Sequence, residues 1–396
     1  MQKTTRPSVR WLTATACAAL FLYATTPPLL SVSLKAISTD LGIGYGARGN
    51  IALARAAVIA VITLAVGWLA DRLGKRYLLT LSMLLVTAGM LCVGRSGGLT
   101  GLVGGIAVMS MGLGGLEALS GALICDLHPR AVASRVGFVY AFYPCGMVVS
   151  SLAIGAVLDA GVGWRAPFSV IAIPCAVVAA MYWVGSYPEA SAGARAGRLT
   201  FGRILASGTF WLLISAMFLA AGAFGCVVYW GPMFIQETYG ASAKAGAAGL
   251  AVFMAAMAVG RFGTGAVTRF VPLSRIMPAM AIAGTVSTLM LVLANGLWAT
   301  MATLALSGVA LCCFWPGLLA LAATRISAGS TTLLAMISSA GIVGFGLLPA
   351  GLGQLATRWG LRTALGVCPA TMLLTGVLLL MVPARGPVEA PPAEGE

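Results

Sequence analysis

Residues 67–76 read GWLADRLGKR and place four charged residues in a short turn between two long apolar runs. One apolar run enters this stretch from Asn50, and another leaves it at Tyr77. A soluble protein rarely needs such an arrangement, whereas a membrane protein needs it wherever two spanning helices turn in water. The stretch therefore predicts a helical hairpin whose two helices cross a bilayer.

The composition extends this prediction to the whole chain. The 396 residues are 60% hydrophobic and 9% charged, with a mean hydropathy of +0.98, whereas soluble domains carry about 25% charged residues. A soluble protein this apolar could not cover its surface, so the sequence predicts a polytopic membrane protein. The net charge of +14 is not gathered on a polar segment. It indicates basic cytoplasmic loops rather than a nucleic-acid partner.

Twelve apolar segments follow one another along the chain, each about long enough to cross a bilayer. They lie near residues 11–33, 50–70, 77–94, 99–125, 135–158, 166–186, 208–235, 243–268, 275–296, 298–323, 331–356 and 361–382. The longest polar stretch separates the sixth segment from the seventh, and a weak echo of residues 67–76 follows the eighth, which favours an internal repeat. The predicted fold is all-α, with 12 transmembrane helices in two six-helix pseudo-symmetric bundles. Its parts are a bundle at 1–186, a cytoplasmic linker at 187–207, a second bundle at 208–383 and a disordered cytoplasmic tail at 384–396.

The distribution of basic residues predicts the orientation in the membrane. With a cytoplasmic N-terminus, fifteen Lys and Arg residues lie in cytoplasmic loops and seven lie outside. Because basic residues favour the cytoplasmic side, both termini are expected in the cytoplasm. We expect a monomer in the plasma (inner) membrane whose partners are lipid, a small-molecule substrate and protons, with no cofactor and no nucleic acid.

Residues 67–76 also resemble the loop signature of the major facilitator superfamily, G-x-L-A-D-R-x-G-(R/K)-(R/K), between the second and third helices where that family carries it. The resemblance implies two bundles around a central cavity and transport by alternating access. It also implies that this loop latches the outward-open state. The latch residues so implied are Gly67, Asp71, Arg72, Gly74 and Arg76. The alternative is that these charges only anchor the topology.

Glu117 is the acidic residue that lies well inside a predicted span. Such a residue is costly in a membrane and is a functional candidate, and its Gly, Leu and Ala neighbours disfavour the ionised form. The segment resembles helix four of fucose/proton symporters, which reads G-L-G-x-L-E, and the resemblance implies proton coupling through Glu117. The alternative is a neutral Glu bonded to a neighbouring helix. Residues 20–26 lack the second acid that those symporters carry in helix one.

Arg55 and Arg261 are the basic residues inside predicted spans, in the second and eighth helices. Arginines at both positions resemble nitrate and nitrite carriers, and the helix-eight arginine resembles monocarboxylate carriers. Because a guanidinium can hold a planar oxyanion with two hydrogen bonds, both are predicted to bind an anionic substrate. The alternatives are that Arg55 extends to the membrane interface and that Arg261 pairs with Glu117.

Three aromatic residues, Tyr143, Tyr229 and Trp315, are further candidates for substrate binding, although such residues more often pack or anchor helices. Pro144 and Pro316 are expected to interrupt helices five and ten. The whole chain has two Asn and three Gln, few partners for the hydroxyl groups of a sugar.

No phosphate-binding loop or catalytic constellation is present in the sequence, so it predicts neither an ATP-driven pump nor an enzyme. The function predicted is proton-coupled symport of a small organic anion. A sugar/proton symporter is the first alternative, and an efflux antiporter is less favoured because the chain lacks the G-P-x-x-G-G run of drug/proton antiporters. A transport-inactive membrane sensor is the alternative from another class.

Overall fold

The computed structural model describes residues 8–128, 135, 138–187, 204–268, 270–326 and 331–383. Within these ranges it leaves undescribed the side chains of residues 67, 68, 71, 72, 265, 266, 331, 332 and 335. The regular structure in the described ranges is helical. In lipid every backbone polar group must be bonded within its own segment, and an α-helix does this without a partner strand.

Thirteen helices make up the described chain. They are α1 Val9–Leu41, α2 Tyr45–Leu73, α3 Lys75–Gly94, α4 Leu99–Leu127, α5 Phe142–Asp159, α6 Arg165–Val184, α7 Gly208–Thr238, α8 Ala243–Val267, α9 Leu273–Leu293, α10 Leu297–Leu311, α11 Phe314–Arg325, α12 Thr331–Ala364 and α13 Val367–Leu380.

Length and composition make this chain an integral, multi-pass membrane protein. Eleven spans within the described ranges are long and apolar enough to cross a membrane. Helices α10 and α11 together form one of them, Leu297–Arg325. Helix α12 kinks at Gly360, which has φ 75°, and the residues after this kink run into the shorter apolar α13. They correspond to the predicted segment at 361–382, so the prediction of an all-α membrane fold is confirmed.

The first two helices extend beyond the apolar segments predicted for them. Helix α1 has 33 residues and is roughly 50 Å long at 1.5 Å per residue, whereas the hydrocarbon core of a bilayer is about 30 Å thick. Hydropathy detects the part of a helix that lies in hydrocarbon and misses polar ends such as the one that carries Lys35 and Asp40. For the same reason α2 begins at Tyr45 rather than near residue 50.

Helices α1–α6 pack together as a first bundle, and α7–α13 pack together as a second. The two bundles meet where α2 packs on α12, where α5 packs on α8 and where α1 packs on α7. The α2–α12 and α5–α8 contacts are equivalent, because each joins the second span of one half to the fifth span of the other. This arrangement fits the internal repeat that the sequence predicts.

One arginine in each half repeats the same role. Arg165, at the start of α6, donates its Nε–H to the Ser96 carbonyl oxygen (2.6 Å) just past α3. Arg362, after the kink in α12, donates from Nη1 to the Ala294 carbonyl oxygen (2.9 Å) just past α9. Carbonyls beyond a helix end lack an intrahelical donor, and each guanidinium supplies one.

Candidate functional site

The bundles are joined at the end of the molecule where α1 finishes and α2 begins, called here the α1–α2 end. Arg48 of α2 forms an ion pair with Glu237 of α7 (3.4 Å). The Tyr45 hydroxyl also donates to Glu237, and the Tyr229 hydroxyl donates to the Arg48 carbonyl oxygen (2.6 Å). These contacts tie the first bundle to the second through side chains that the sequence did not single out, apart from Tyr229.

Further contacts close the same end. Lys35 donates to the Gln236 carbonyl oxygen (3.1 Å), and Gln354 donates to Asn50 (3.3 Å). Gly49 lets α2 approach α12 closely, since a Cβ there would lie 2.8 Å from the Ala350 carbonyl oxygen. These hydrogen bonds between the bundles all lie at the α1–α2 end, so the structure is closed there.

A cavity of about 170 Å³ lies between the bundles, beyond the closed end. The helices that line it, α1, α2, α4, α5, α7, α8, α10, α11 and α12, come from both bundles. The first bundle contributes polar side chains to the wall: Tyr23, Arg55, Glu117, Tyr140 and Tyr143. The second contributes mainly apolar ones, together with Arg261 and Trp315.

Glu117 lies on α4 and faces this cavity half-buried. Tyr23 and Tyr140 are within electrostatic range of its carboxyl group. The ion pairs among the described side chains are Arg48–Glu237, Lys75–Asp126 and Arg165–Asp40. The Arg261–Glu117 pair that the sequence left open as an alternative is not among them.

Arg261 is positioned by the interruption between α10 and α11. Pro316 has no N–H with which to bond the carbonyl of Cys312 one turn earlier. The Arg261 Nε–H donates to that carbonyl oxygen instead (3.3 Å), and Nη2 lies 3.8 Å from the Met257 sulfur. The predicted interruption of helix ten is thus confirmed. Arg261 also lines the cavity.

Arg55 reaches the cavity from α2. Its Nη2 donates to the Thr26 hydroxyl oxygen (2.8 Å), and its Nε is buried with no partner among the described atoms. Since only 8% of the residue is exposed, the alternative in which Arg55 extends to the membrane interface does not fit. An unpartnered buried donor of this kind is costly unless a ligand supplies the acceptor.

Tyr143 lies among the charged groups of the cavity. It is within electrostatic range of Arg55, Glu117 and Arg261, and its ring lies 5.9 Å from that of Tyr23 between centroids. Pro144 is in the first turn of α5, just after the helix is interrupted at Ala141. That interruption, which the sequence predicted, brings Tyr143 to the start of a new helix.

Trp315 also lines the cavity, whereas Tyr229 does not. Trp315 packs over Gly341 of α12, where a Cβ would lie 2.8 Å from the indole ring. Tyr229 is 7% exposed and bonds to Arg48 at the closed end. Its predicted role in substrate binding does not fit this position, because the hydroxyl is already used to join the bundles.

The two arginines lie at different depths. At a rise of about 1.5 Å per residue, Arg55 is roughly 15 Å and Arg261 roughly 27 Å from the helix ends at the α1–α2 side. Glu117, counted along α4, lies at about the depth of Arg261. The two arginines therefore do not form a single binding site for one anion. Arg55 lies nearer the closed end, and Arg261 and Glu117 lie deeper in the cavity.

The predicted latch residues lie at the opposite end, in the turn from α2 to α3. Gly74 has φ 78°, a conformation that favours glycine, and Arg76 stacks on the Trp183 ring (4.7 Å) within the first bundle. Lys75 pairs with Asp126, again within that bundle. The surroundings of Gly67 and the side chains of Asp71 and Arg72 are not described, so the latch stays a prediction.

Sequence reasoning missed two groups: Arg48 and Glu237 at the closed end, and Phe224 and Phe345 in the cavity wall. The Arg48–Glu237 pair could have been predicted, because Glu237 is an acidic residue at the end of one span and Arg48 is a basic residue at the start of another. The phenylalanines could not, because apolar residues surround them in the sequence. Within the described residues no group of His, Cys, Asp and Glu could hold a metal ion.

Comparisons with known proteins agree with this architecture. The family model described as Major Facilitator Superfamily matches residues 12–297. Myo-inositol transporter 2 of Cryptococcus neoformans var. grubii is 31% identical over 178 residues, which are 43% of this chain and 32% of that protein. The purine ribonucleoside efflux pump NepI of Salmonella typhimurium is 29% identical over 166 residues, 41% of each chain. The chain thus spans well under half the length of these curated relatives.

Two solved structures resemble the whole chain. A D-xylose-proton symporter has a TM-score of 0.79 at 14% identity, over 94% of this chain and 98% of that one. A bacterial homolog of the human lysosomal transporter Spinster, inward-facing and occupied, has a TM-score of 0.78 at 16% identity, over 96% of both chains. At such identities the likeness shows the fold and leaves the substrate open.

Proposed function

The chain belongs to the Major Facilitator Superfamily, and on this basis we propose that it is a secondary transporter that moves a small organic anion together with protons by alternating access. The observation that carries the proposal is one cavity lined by Arg55, Arg261 and Glu117. Neither the family nor the named relatives are enzymes.

The anion follows from the excess of positive charge in the cavity. Two guanidinium groups face one carboxyl group, and none of the three forms an ion pair among the described residues. Buried charges without a counter-charge are expensive. A carboxylate ligand supplies that counter-charge, and guanidinium groups bind carboxylates with paired, charge-assisted hydrogen bonds.

Proton coupling follows from the same balance. When Glu117 is protonated, the cavity carries two positive charges and attracts an anion; when Glu117 is ionised, it competes with the anion for them. Coulomb interactions inside a protein are strong enough for such competition. Proton and anion therefore favour each other's binding, and by linkage the coupling is reciprocal. This favours symport.

The closed α1–α2 end supports an orientation for the transport cycle. The loop charges favour an orientation with both termini in the cytoplasm. In that orientation within the inner membrane, this conformation is closed to the outside. Opening requires the Arg48–Glu237 contacts to break and the α2–α3 turn, with its predicted latch, to approach the second bundle. One chain supplies all the described residues of the cavity, which supports a monomer as the transport unit.

Uptake of a neutral polyol or sugar is the second candidate, because the relatives include proteins named myo-inositol transporters. An efflux antiporter is the third, from the relatives named as nucleoside efflux pumps. The cavity favours neither, since its described lining residues include no Asn or Gln. Asn50 and Gln354 bond each other at the closed end instead.

Uptake into proteoliposomes tests the proposal, with organic anions, polyols and nucleosides measured with and without an inward proton gradient. We expect gradient-dependent anion uptake that Glu117→Gln uncouples and Arg261→Ala abolishes. Arg95→Ala is the matched control, because Arg95 is an exposed arginine outside the cavity. Polyol uptake that is indifferent to Arg261→Ala would refute the anion proposal in favour of the second candidate.

A further inference from the structure

The second-bundle wall of the cavity is an aromatic and aliphatic surface. Phe224, Phe345, Met257 and Ile342 line it, and the ring centroids of Phe224 and Phe345 lie 5.5 Å apart. The side chains of this wall that can donate a hydrogen bond are Arg261 and Trp315. A ligand held here meets one charged group and an extended apolar face.

These rings are held in place before any ligand binds. Phe224 stacks on Phe253 at 5.9 Å with 24° between the planes, and Phe253 is fully buried. Gly225 lets α7 approach α12 so closely that a Cβ there would lie 2.6 Å from the Phe345 carbonyl oxygen. A preformed surface loses little conformational freedom when a ring packs on it, which favours binding.

The first-bundle wall faces this surface with the Tyr23–Tyr143 pair, which lies beside Glu117. Its tyrosine hydroxyls and charged groups can form hydrogen bonds with a few polar atoms of a ligand. A polyol would bring many hydroxyl groups against the apolar face, where they would lose water and find no partner. The two walls together suit a molecule with one polar end and an apolar body.

We infer that the substrate is a small aryl monocarboxylate, with its ring against Phe224 and Phe345 and its carboxylate on Arg261 beside Tyr143. Arg261 is the better partner for the carboxylate, since the Cys312 carbonyl fixes its Nε and Nη1 bonds no described acceptor. Arg55 is more deeply buried and already donates to Thr26. The inference rests on the proposed function, because it uses the same cavity and the same charge.

Binding of radiolabelled phenylacetate to the purified full-length protein tests the inference. D-gluconate, which has the same charge and a hydroxylated body, and 2-phenylethanol, which has the ring without the charge, serve as competitors. We expect gluconate to compete at least about tenfold more weakly than unlabelled phenylacetate, because its hydroxyl groups stay unpaired. The uncharged 2-phenylethanol should compete more weakly still.

Two variants locate the ring. Phe224→Leu and Phe345→Leu should each weaken phenylacetate binding roughly three- to tenfold, through lost ring packing, and leave binding of propionate, which has no ring, unchanged. Phe210→Leu is the matched control, because Phe210 is a fully buried phenylalanine of α7 that packs on Trp211 away from the cavity. It should leave phenylacetate binding as in the wild type.

The outcomes separate the two proposals. If gluconate binds as tightly as phenylacetate and the cavity phenylalanine variants change neither, the aryl inference is overturned while anion transport stands. If 2-phenylethanol competes as well as phenylacetate, or no anion binds, the proposed function fails and the inference falls with it. Selective phenylacetate binding that both cavity variants weaken establishes the inference.

Discussion

The two bundles share a backbone plan and differ in the wall that each presents to the cavity. At their ends they match, since Arg165 and Arg362 each bond the carbonyls beyond the third helix of their half. In the cavity they diverge: the first bundle presents Glu117, Arg55 and tyrosine hydroxyls, and the second presents phenyl rings with Arg261. The repeat thus determines the shared backbone arrangement. Under the proposed function, the first half exchanges the proton and the second half holds the body of the solute.

The largest effect should come from Glu117→Gln, which removes the group that we propose exchanges the proton. A glutamine keeps the size and cannot titrate, so gradient-driven accumulation should be lost while exchange of labelled for unlabelled substrate across the membrane persists. Counterflow and gradient-driven uptake in the same proteoliposomes measure the two. Accumulation at the wild-type level in this variant would contradict the division of work between the bundles.

Arg261→Ala should have the next largest effect, on the charge of the second bundle. Removing one partner of a buried, hydrogen-bonded charge pair costs roughly 2–5 kcal/mol, a loss of roughly 30-fold or more in anion affinity. Equilibrium binding of the transported anion measures it. Arg261→Lys should recover part of the loss, since it restores the charge without the planar fork, and equal losses in both variants would argue for the fork over the charge.

Glu237→Gln should have a smaller effect, at the contact where the two bundles are tied together. The Arg48–Glu237 pair has side chains 12% and 26% exposed, so its loss should shift the closed conformer by about 1 kcal/mol towards opening. Faster labelling of Ala350→Cys by an impermeant maleimide, followed by mass spectrometry, measures the shift. The control is Asp40→Asn, which breaks an ion pair inside the first bundle, and equal acceleration in both would speak against a role in closure.

The smallest effect on solute binding should come from Gly74→Ala, because the single-residue turn between α2 and α3 does not line the cavity. The corresponding connection in the second bundle is longer, since α8 ends at Val267 and α9 begins at Leu273. Because Gly74 has φ 78°, an alanine there should destabilise the first bundle by about 1–2 kcal/mol and lower the melting temperature in detergent. Gly97→Ala is the control, since Gly97 has open space around it and no positive φ.

The sequence predicted the acidic and basic side chains of the cavity but did not predict the phenylalanines of its wall. Glu117, Arg55 and Arg261 were recognisable because a charge inside an apolar span is costly and needs a reason. Phe224 and Phe345 were not, because in a membrane both the lipid-facing and the protein-facing sides of a helix are apolar. The periodic signal that marks the buried face of a soluble helix is therefore missing.

By itself the sequence determined the membrane class, the number of spans and the charged turn at residues 67–76, because hydropathy and charge are local properties of the chain. Tertiary structure decided which charges meet. The cavity brings together residues from four helices far apart in the chain, namely Glu117, Arg55, Arg261 and Tyr143. Tyr229 lies outside this cavity and bonds the Arg48 carbonyl oxygen instead. Helix rotation and the closure of one end depend on how two bundles pack against each other, and no single segment encodes that packing.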